Sequence, residues 1–306
     1  MNGLLLLALA FVLDAVIGEP RWLWSRLPHP AVIMGRTVSV LDRTLNQGER
    51  QRLNGVVAVL ILVTMAGVTG WLLQLLGSTV SIVIAAILLA QKSLVDHVAA
   101  VATGLRESEH AGRQAVAMIV SRDVSTSDTS ATSRSAVESL SENFSDGVIA
   151  PAFWFAVAGL PGIAIYKAVN TADSMIGYLT PQYAAFGWAA ARLDDVLNWI
   201  PARLTAALIA IAGRSTSAWH SVQQDARLHR SPNAGWPEAA MAHTLNIALA
   251  GPRSYHGKVQ DLAWVNGAGR RALAPADIDA AIAIVWKAWG LALALCVCIG
   301  GLVWVF

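Results

Sequence analysis

The stretch that decides the fold is Gly55 to Gln91, GVVAVLILVTMAGVTGWLLQLLGSTVSIVIAAILLAQ, 37 residues without a charged side chain. A helix needs about 20 predominantly apolar residues to cross a hydrocarbon core of ~30 Å. The run is long enough for a tight helical hairpin. Its turn falls at Gly77-Ser78-Thr79, and its second arm continues through Lys92 into Leu94, Val95 and Val98.

Working outward, Ala288 to Phe306 is a second uncharged run of 19 residues, and Gly3 to Leu13 is apolar as well. No Lys or Arg precedes that first stretch, so it does not read as a secretory signal. Arg21 and Arg26 follow it, which favours an outside N-terminus and an inside first loop. Asp14 sits near the inner end of the segment, where a carboxylate is costly in lipid and must face protein, water or a ligand. The whole chain is 55% hydrophobic and 14% charged, against roughly 25% charged residues in a soluble domain. The six basic residues from Arg21 to Arg52 read as orientation signals, and the net charge of +2 gives no reason to expect a nucleic-acid partner. Cys296 and Cys298 lie in the last apolar segment without His or Asp neighbours and read as small packing residues.

The expected architecture is therefore all-α: a polytopic membrane protein with about four to six transmembrane or re-entrant helices and helical cytosolic loops. It forms one membrane-embedded domain over residues 1–306, with apolar segments near 3–18, 55–76, 78–91, 148–169, 200–213 and 280–306. No repeat or low-complexity tract appears. Polar loops fall at 19–54, 92–147, 170–199 and 214–279. The segment Val148 to Val169 is interrupted by Gly159-Leu160-Pro161-Gly162, and neither piece spans a bilayer alone. A full crossing places loop 170–199 outside, whereas a re-entrant hairpin returns it inside. Ile200 to Gly213 is also short and contains Pro201 and Arg203. Such broken helices persist at membrane depth only when packed on protein or lining a wet cavity.

Four polar stretches carry the chemistry. From about Ser130 a helix is expected, on which Arg134, Glu138, Glu142 and Asp146 at four-residue spacing share one face. That face is either a solvated ion-pair ladder or a carboxylate cluster at a membrane mouth suited to Mg²⁺. In Tyr166 to Ser174, Lys167, Asn170 and Asp173 at three-residue spacing offer a cation and two oxygen ligands, or a helix end with a snorkelling lysine. In Arg192 to Pro201, Asp194 shares its face with Asn198, which makes it the better ligand candidate, whereas Asp195 is expected to pair with an arginine. In Asp225 to Glu238, Ser231-Pro232-Asn233-Ala234-Gly235 is strong turn chemistry. A helix then begins near Pro237 and is stopped by Gly251-Pro252. With Arg227, His229 and Arg230 this reads either as a phosphate or carboxylate cradle or as an ordinary surface loop. No Walker A, G-x-G-x-x-G, H-E-x-x-H or G-x-S-x-G pattern is present.

Taken in order, these segments resemble the adenosylcobinamide-phosphate synthase family of the CobD/CbiB type. The resemblance is carried by Asp14-x-x-x-Gly18-Glu19-Pro20, His29-Pro30, Ser121-Arg122-Asp123, Val137-Glu138-Ser139 and Glu142-Asn143-x-Ser145-Asp146-Gly147. It continues through Lys167-x-x-Asn170-Thr171-x-Asp173-Ser174-Met175, Phe186-Gly187-Trp188, Arg192-x-Asp194-Asp195 and Asp225-Ala226-Arg227. Ser231 to Glu238, Gly251-Pro252 and Tyr255-x-Gly257 complete it.

The resemblance implies an ATP-consuming, Mg²⁺-dependent ligase in the cell membrane, its active site facing the cytoplasm. Such an enzyme joins adenosylcobyric acid, a corrinoid, to (R)-1-amino-2-propanol phosphate. Phosphoryl transfer needs metal and cationic clamps more than a protein nucleophile. The expected metal set is Glu138, Glu142, Asp146, Asp173 and Asp194, with Lys167 beside it. Arg122, Asn143, Asn170, Arg192, Arg227, His229, Arg230 and Asn233 are expected on substrate and phosphates, and His29 or His229 as proton acceptor from the ammonium. Two alternatives belong to other classes: a different Mg²⁺-dependent membrane transferase acting on a phosphorylated alcohol, and a transporter, which should show inverted repeats.

Overall fold

The computed structural model describes residues 2–120, 123–255, 258–260 and 262–305. Along the chain run α1 (Gly3–Ile17), α2 (Arg21–Trp24), α3 (Pro30–Leu45), α4 (Gln51–Gln74), α5 (Ser78–Leu88), α6 (Gln91–Glu107), α7 (Glu109–Val116) and α8 (Thr129–Phe144). A π-helical turn, Ser145–Ile149, leads into α9 (Ala150–Ile176), then α10 (Trp188–Leu197), α11 (Trp199–Ala212), α12 (Trp219–Ala226), α13 (Gly235–Leu245) and α14 (Pro275–Val305). Among the described residues four helices are long and apolar enough to cross a membrane, or five if the α10–α11 pair, bent by 44°, counts as one span. The protein is an all-α polytopic membrane protein.

Two compact units make up the chain. The first comprises residues 1–90, 150–199 and 295–306, and the second residues 91–149 and 200–294. In the first, Asn2 caps α1 by accepting from Leu5 N at 3.1 Å, and its amide also donates to Gly300 O at 2.6 Å. The helix ends at Gly18, whose φ of 60° only glycine adopts readily. Asp14, one turn earlier, is buried, as its position in an apolar helix requires.

The core of this unit lies where α4 meets α3, α9 and α10, around Val38, Ala58, Leu62, Ala172, Phe186 and Ala190. Small residues bring the backbones together: a Cβ on Gly55 would stand 2.0 Å from Phe186 O, one on Gly70 2.6 Å from Leu160 O, and one on Gly187 1.7 Å from Ile176 O. These contacts fix direction. The start of α4 meets residues 176–188 and its end meets Leu160, so the second half of α9 runs antiparallel to α4. Overpacking of this kind costs about 1–3 kcal/mol. Gly55→Ala is accordingly expected to lower the melting temperature in detergent, whereas Gly290→Ala, with nothing within 4 Å of its new methyl, should not.

The break expected at Gly159 is present: Ala158 and Gly159 leave helical geometry, Gly159 with φ 63°. The bend brings Gly162 so close to Trp154 that a Cβ there would lie 2.2 Å from the Trp154 carbonyl. The Gln74 side chain accepts from Leu160 N at 2.9 Å and so replaces a hydrogen bond that the break forfeits. Both halves of α9 reach the end of α10, with Trp154 Nε1 donating to Leu197 O at 3.0 Å and Tyr166 OH to Asn198 Oδ1 at 3.0 Å.

The second arm of the hairpin continues past Lys92 as expected, since Ser78–Glu107 is long and apolar enough to cross a membrane. It is interrupted on the way: α5 stops at Leu88, Leu89 is extended, and α6 starts at Gln91. Alone, the 11 residues of α5 rise about 16 Å at 1.5 Å per residue, half of a hydrocarbon core. The turn precedes Ser78, which already belongs to α5.

In the second unit α6 and α7 form a close hairpin; Gly104 and Gly112 leave no room for a Cβ against Ala111 and Leu105. The expected loop 214–279 holds two short antiparallel pairs, β1 (Leu249–Ala250) with β4 (Trp264–Val265) and β2 (Arg253–Tyr255) with β3 (Lys258–Gln260). Strands this short carry no readable alternation. Helix α13 starts at Gly235 and ends at Leu245 on a left-handed Asn246 cap, not at Gly251-Pro252. Gly251 instead lies on the Trp264 ring, 2.6 Å from where a Cβ would stand.

Candidate active site

In the first unit the polar groups gather along α9. Asp194, 9% exposed, accepts from Asn198 Nδ2 at 3.0 Å and from Asn170 Nδ2 at 3.2 Å. Asn198 in turn accepts from the Tyr166 hydroxyl, so a fully buried Tyr–Asn pair fixes the carboxylate. Asp173, three residues after Asn170, is half-buried, and its carboxylate makes no hydrogen bond or ion pair among the described residues. Asp173 and Asp195 lie within electrostatic reach of Asp194. Asp195 pairs with Arg192 at 3.2 Å, as its position on α10 suggests. Arg192 is thereby tied to its own helix and not turned toward Asp194.

One to two turns earlier on α9, Lys167 is near His29. His29 caps α3: its Nδ1 accepts from Ala31 N at 3.2 Å, and its ring meets Trp24 edge to face at 4.5 Å between centroids. Burial is the largest influence on the imidazole and lowers its pKa; Glu19 and the Ile87 backbone oppose this and Lys167 adds to it. Sequence reading put Glu19 and His29 in the family pattern without a common place, and the fold brings Glu19 and Lys167 within electrostatic reach of His29. Beside this point an apolar cavity of about 270 Å³ opens between α3, α4, α5 and α9, reaching Pro30 and Ala168.

In the second unit the face expected to carry Glu138, Glu142 and Asp146 is not uniform. Glu138 is 1% exposed and accepts from Ala250 N at 2.7 Å, holding a non-glycine residue at φ 58°. Left-handed backbone costs about 1–2 kcal/mol per residue, so a buried carboxylate at its N–H is a structural restraint on that turn. Glu142 is exposed, and Asp146 falls in the π-helical turn, which ends the regular four-residue stacking after Glu142. Asn143 donates to Ser139 O at 2.9 Å.

The expected cradle is also remodelled. Ser231 Oγ accepts from Asn233 N and Ala234 N, each at 3.2 Å, and Ser231 N donates to His229 Nδ1 at 3.0 Å. Asn233 is buried and accepts from Arg203 Nη1 at 2.8 Å. The turn's backbone donors and Asn233 are thus engaged within the protein, and an anion here would be held by side chains. Arg227 and Arg230 are exposed, and Arg230 borders a cavity of about 40 Å³ with His229 and Ala250. His229 Nε2 lies 3.8 Å from the buried Glu238.

Asp225, in the family pattern, accepts from Asn266 N and pairs with His243 Nε2, both at 2.8 Å. It anchors the loop; nothing in the local sequence signals a partner 41 residues away. Arg122 lies outside the described residues. Within neither unit do three His, Cys, Asp or Glu side chains among the described residues converge as metal ligands.

Fold and site define a class: a polytopic helical membrane protein with buried, amide-held carboxylates and a lysine within electrostatic reach of a helix-capping histidine. The family model for the CobD/Cbib protein matches residues 7–285. Named relatives are the cobalamin biosynthesis protein CobD of Rhizobium meliloti, 50% identical with 93% of each chain covered, and those of Brucella suis and Rhodobacter capsulatus, 47% and 44% identical with 94% of each chain covered. No solved structure matches significantly. The chain belongs to the CobD/CbiB family.

Proposed function

We propose that the chain is an enzyme of cobalamin biosynthesis that joins adenosylcobyric acid to (R)-1-amino-2-propanol phosphate, giving adenosylcobinamide phosphate with consumption of ATP. The observation that carries the reading is the ordered family pattern over most of the chain. Its charged members Lys167, Asp173 and Asp194 share the end of α9 and the adjoining helix, with His29 beside Lys167.

A free carboxylate resists attack by an amine. In the proposed sequence a carboxylate oxygen of the corrinoid attacks the γ-phosphorus of ATP, ADP leaves, and an acyl phosphate forms. The amine nitrogen then attacks the acyl carbon, phosphate leaves, and the nitrogen loses a proton. The all-oxygen donor set suits Mg²⁺, which takes one or two carboxylates and completes its shell with waters and phosphate oxygens. The half-buried Asp173 near Asp194, without a hydrogen bond or ion pair among the described residues, fits that demand. Mg²⁺ would supply charge neutralisation on the transferring phosphoryl group. Asn170, Asn198 and Tyr166 would hold the Asp194 carboxylate in place, and Lys167, Arg227 and Arg230 would neutralise phosphate charge.

Orientation follows from the antiparallel run of α4 and α9. Asn170 and Asp173 lie in the half of α9 that runs toward the start of α4, which Arg50 and Arg52 flank in sequence, and basic flanks favour the cytoplasm. Single cysteines placed at Thr171 and at Ser231, with Cys296 and Cys298 replaced, are expected to react from the cytoplasmic side in sealed vesicles. Reaction from opposite sides would exclude a single site.

Growth tests the reaction in the cell. A cobalamin-requiring strain lacking this step should grow on cobyric acid when it carries the chain, and on cobinamide with or without it. Growth on cobinamide alone would contradict the reading, and a corrinoid transporter would not supply the missing amide bond.

A further inference from the structure

We propose that the apolar cavity between α3, α4, α5 and α9 binds one acyl chain of a membrane phospholipid, which enters sideways from the bilayer. Such a site is independent of the amide-forming reaction. The cavity measures about 270 Å³, and its walls are almost entirely carbon, with Leu62 and Leu73 of α4, Ile84 and Leu88 of α5, and Ala164 and Ala168 of α9 among them. Thr37 and Thr69 bring the only hydroxyls in the lining, and Thr37 Oγ1 already donates to Ile33 O at 3.0 Å. A buried water needs about two to four polar partners, which this lining does not offer. The amides of a corrinoid, or a phosphate, would be buried here unpaired. What fits is hydrocarbon.

The mouth of the cavity says where that hydrocarbon comes from. Ile33 and Met65 form part of the lining, yet each is 52% exposed. Met65 shares one face of α4 with Ile61, Val68 and Leu72, all of them exposed. Helix α4 is long and apolar enough to cross a membrane, so this face meets lipid chains. The cavity is continuous with it, and an unfilled void there would forfeit contacts that a chain supplies.

Length and charge agree with a phospholipid of one leaflet. From Leu62 to Leu73 the α4 wall rises about 16 Å at 1.5 Å per residue, close to half of a hydrocarbon core. Asn54 Nδ2 donates to Leu45 O at 2.9 Å, so the end of α3 lies beside the start of α4 and the two helices run antiparallel. The Thr37 side of the cavity therefore faces the basic start of α4. Arg36 neighbours Ile33 on the surface of α3, is exposed, and forms no ion pair among the described residues. A phosphate held at Arg36 would let its chain run along α4 toward Leu73 and Ile84. The chain would pack on Ala164 and Ala168, in the half of α9 that carries Asn170 and Asp173.

Photolabelling tests the site. The full chain is reconstituted in vesicles of phosphatidylcholine and phosphatidylglycerol with a diazirine midway along one acyl chain, irradiated, digested and mapped by mass spectrometry. Adducts are expected on Leu88, Ala164 and Ala168, which are buried and closed to bulk lipid, as well as on exposed Val68 and Leu72. Ala66→Phe places a ring in the cavity. It should lower the buried adducts about tenfold or more, since each excluded methylene costs roughly a factor of four in affinity, and leave those on Leu72 unchanged. Thr69→Phe, at the exposed rim, blocks the same entry and repeats the test if the first variant does not fold. Native mass spectrometry after transfer to detergent is the second readout: the wild type should retain one phospholipid and the filled variants none. Arg36→Gln should weaken that retention while the buried adducts persist. Adducts confined to exposed residues, retention unaffected by either filling substitution, or displacement of the probe from the buried positions by adenosylcobyric acid would overturn the proposal.

Discussion

Replacing Asp173 by Asn is expected to lower turnover by about 100-fold or more while leaving the melting temperature close to that of the wild type. The two halves of that statement have separate origins. The Asp173 side chain makes no hydrogen bond or ion pair among the described residues, so the isosteric amide breaks nothing in the fold. The charge, however, is what a metal and a transferring phosphoryl group would feel. Loss of such a contact is worth several kcal/mol, with each ~1.4 kcal/mol a factor of about ten in rate.

Asp194→Asn should behave differently. One oxygen of Asp194 accepts from Asn198 and the other from Asn170. An amide at position 194 must point its own NH₂ at one of those donors, so this variant should lose stability as well as activity. Glu142→Gln, on the exposed face of α8, should lose activity alone. Turnover by Asp173→Asn and Glu142→Gln near the wild-type rate at ordinary Mg²⁺ would leave the carboxylates as a solvated face. Thermal melts and initial rates on the same preparations separate these outcomes.

The second large effect is expected at Arg227 and Arg230. Arg230→Ala should raise the apparent KM for ATP or aminopropanol phosphate about tenfold or more, since a hydrogen bond to a charged group is worth roughly 1.5–3 kcal/mol. Arg227→Ala should act in the same direction but less, because Arg230 borders the small cavity beside His229 and Arg227 does not. Lysine should rescue each only in part, as a point charge lacks the planar fork. The corrinoid KM should move less, its surface being mostly apolar and amide-rich. An equal rise in all three constants would indicate misfolding, and no change for either phosphate-bearing substrate would remove the arginines from the site. Because Ser231 already satisfies the turn's backbone donors, shortening Ser231 to Ala should loosen the loop but should not by itself abolish binding.

Much of the fold could be read from local composition. Uncharged runs long enough to cross a bilayer identify α4 and α14, and the Gly159-Leu160-Pro161-Gly162 cluster marks the bend in α9, because those residues break helices wherever they fall. Helical spacing also separated Asp194, beside Asn198, from Asp195, beside Arg192. The features that escaped depend on distant partners. Leu88 ends α5 inside an unbroken apolar run, where periodicity has nothing to register. The π-helical turn after Phe144 disrupts a four-residue pattern that the sequence carries without interruption. Glu138 looks like its neighbour Glu142 until Ala250, 112 residues away, claims its oxygen. Phe186-Gly187 reads as a motif, yet its demand is close packing on Gly55 and Ile176. Tyr166, through Asn198, and Asn170 support Asp194 from α9, a second helix that spacing along α10 does not reveal. His29 did have a local signal, a His-Pro pair at a helix start, which points to its capping role.

The most direct measurement is product formation by the purified chain in detergent or nanodiscs, supplied with adenosylcobyric acid, aminopropanol phosphate and Mg-ATP and followed by mass spectrometry. The expected product is the two substrates joined with loss of one water, formed only when ATP is present and with one ADP and one phosphate released per amide bond. ¹⁸O in the corrinoid carboxylate should appear in that phosphate, as the acyl phosphate requires. Intact corrinoid after prolonged incubation with active, folded protein, or amide formation without ATP cleavage, would contradict the proposed function.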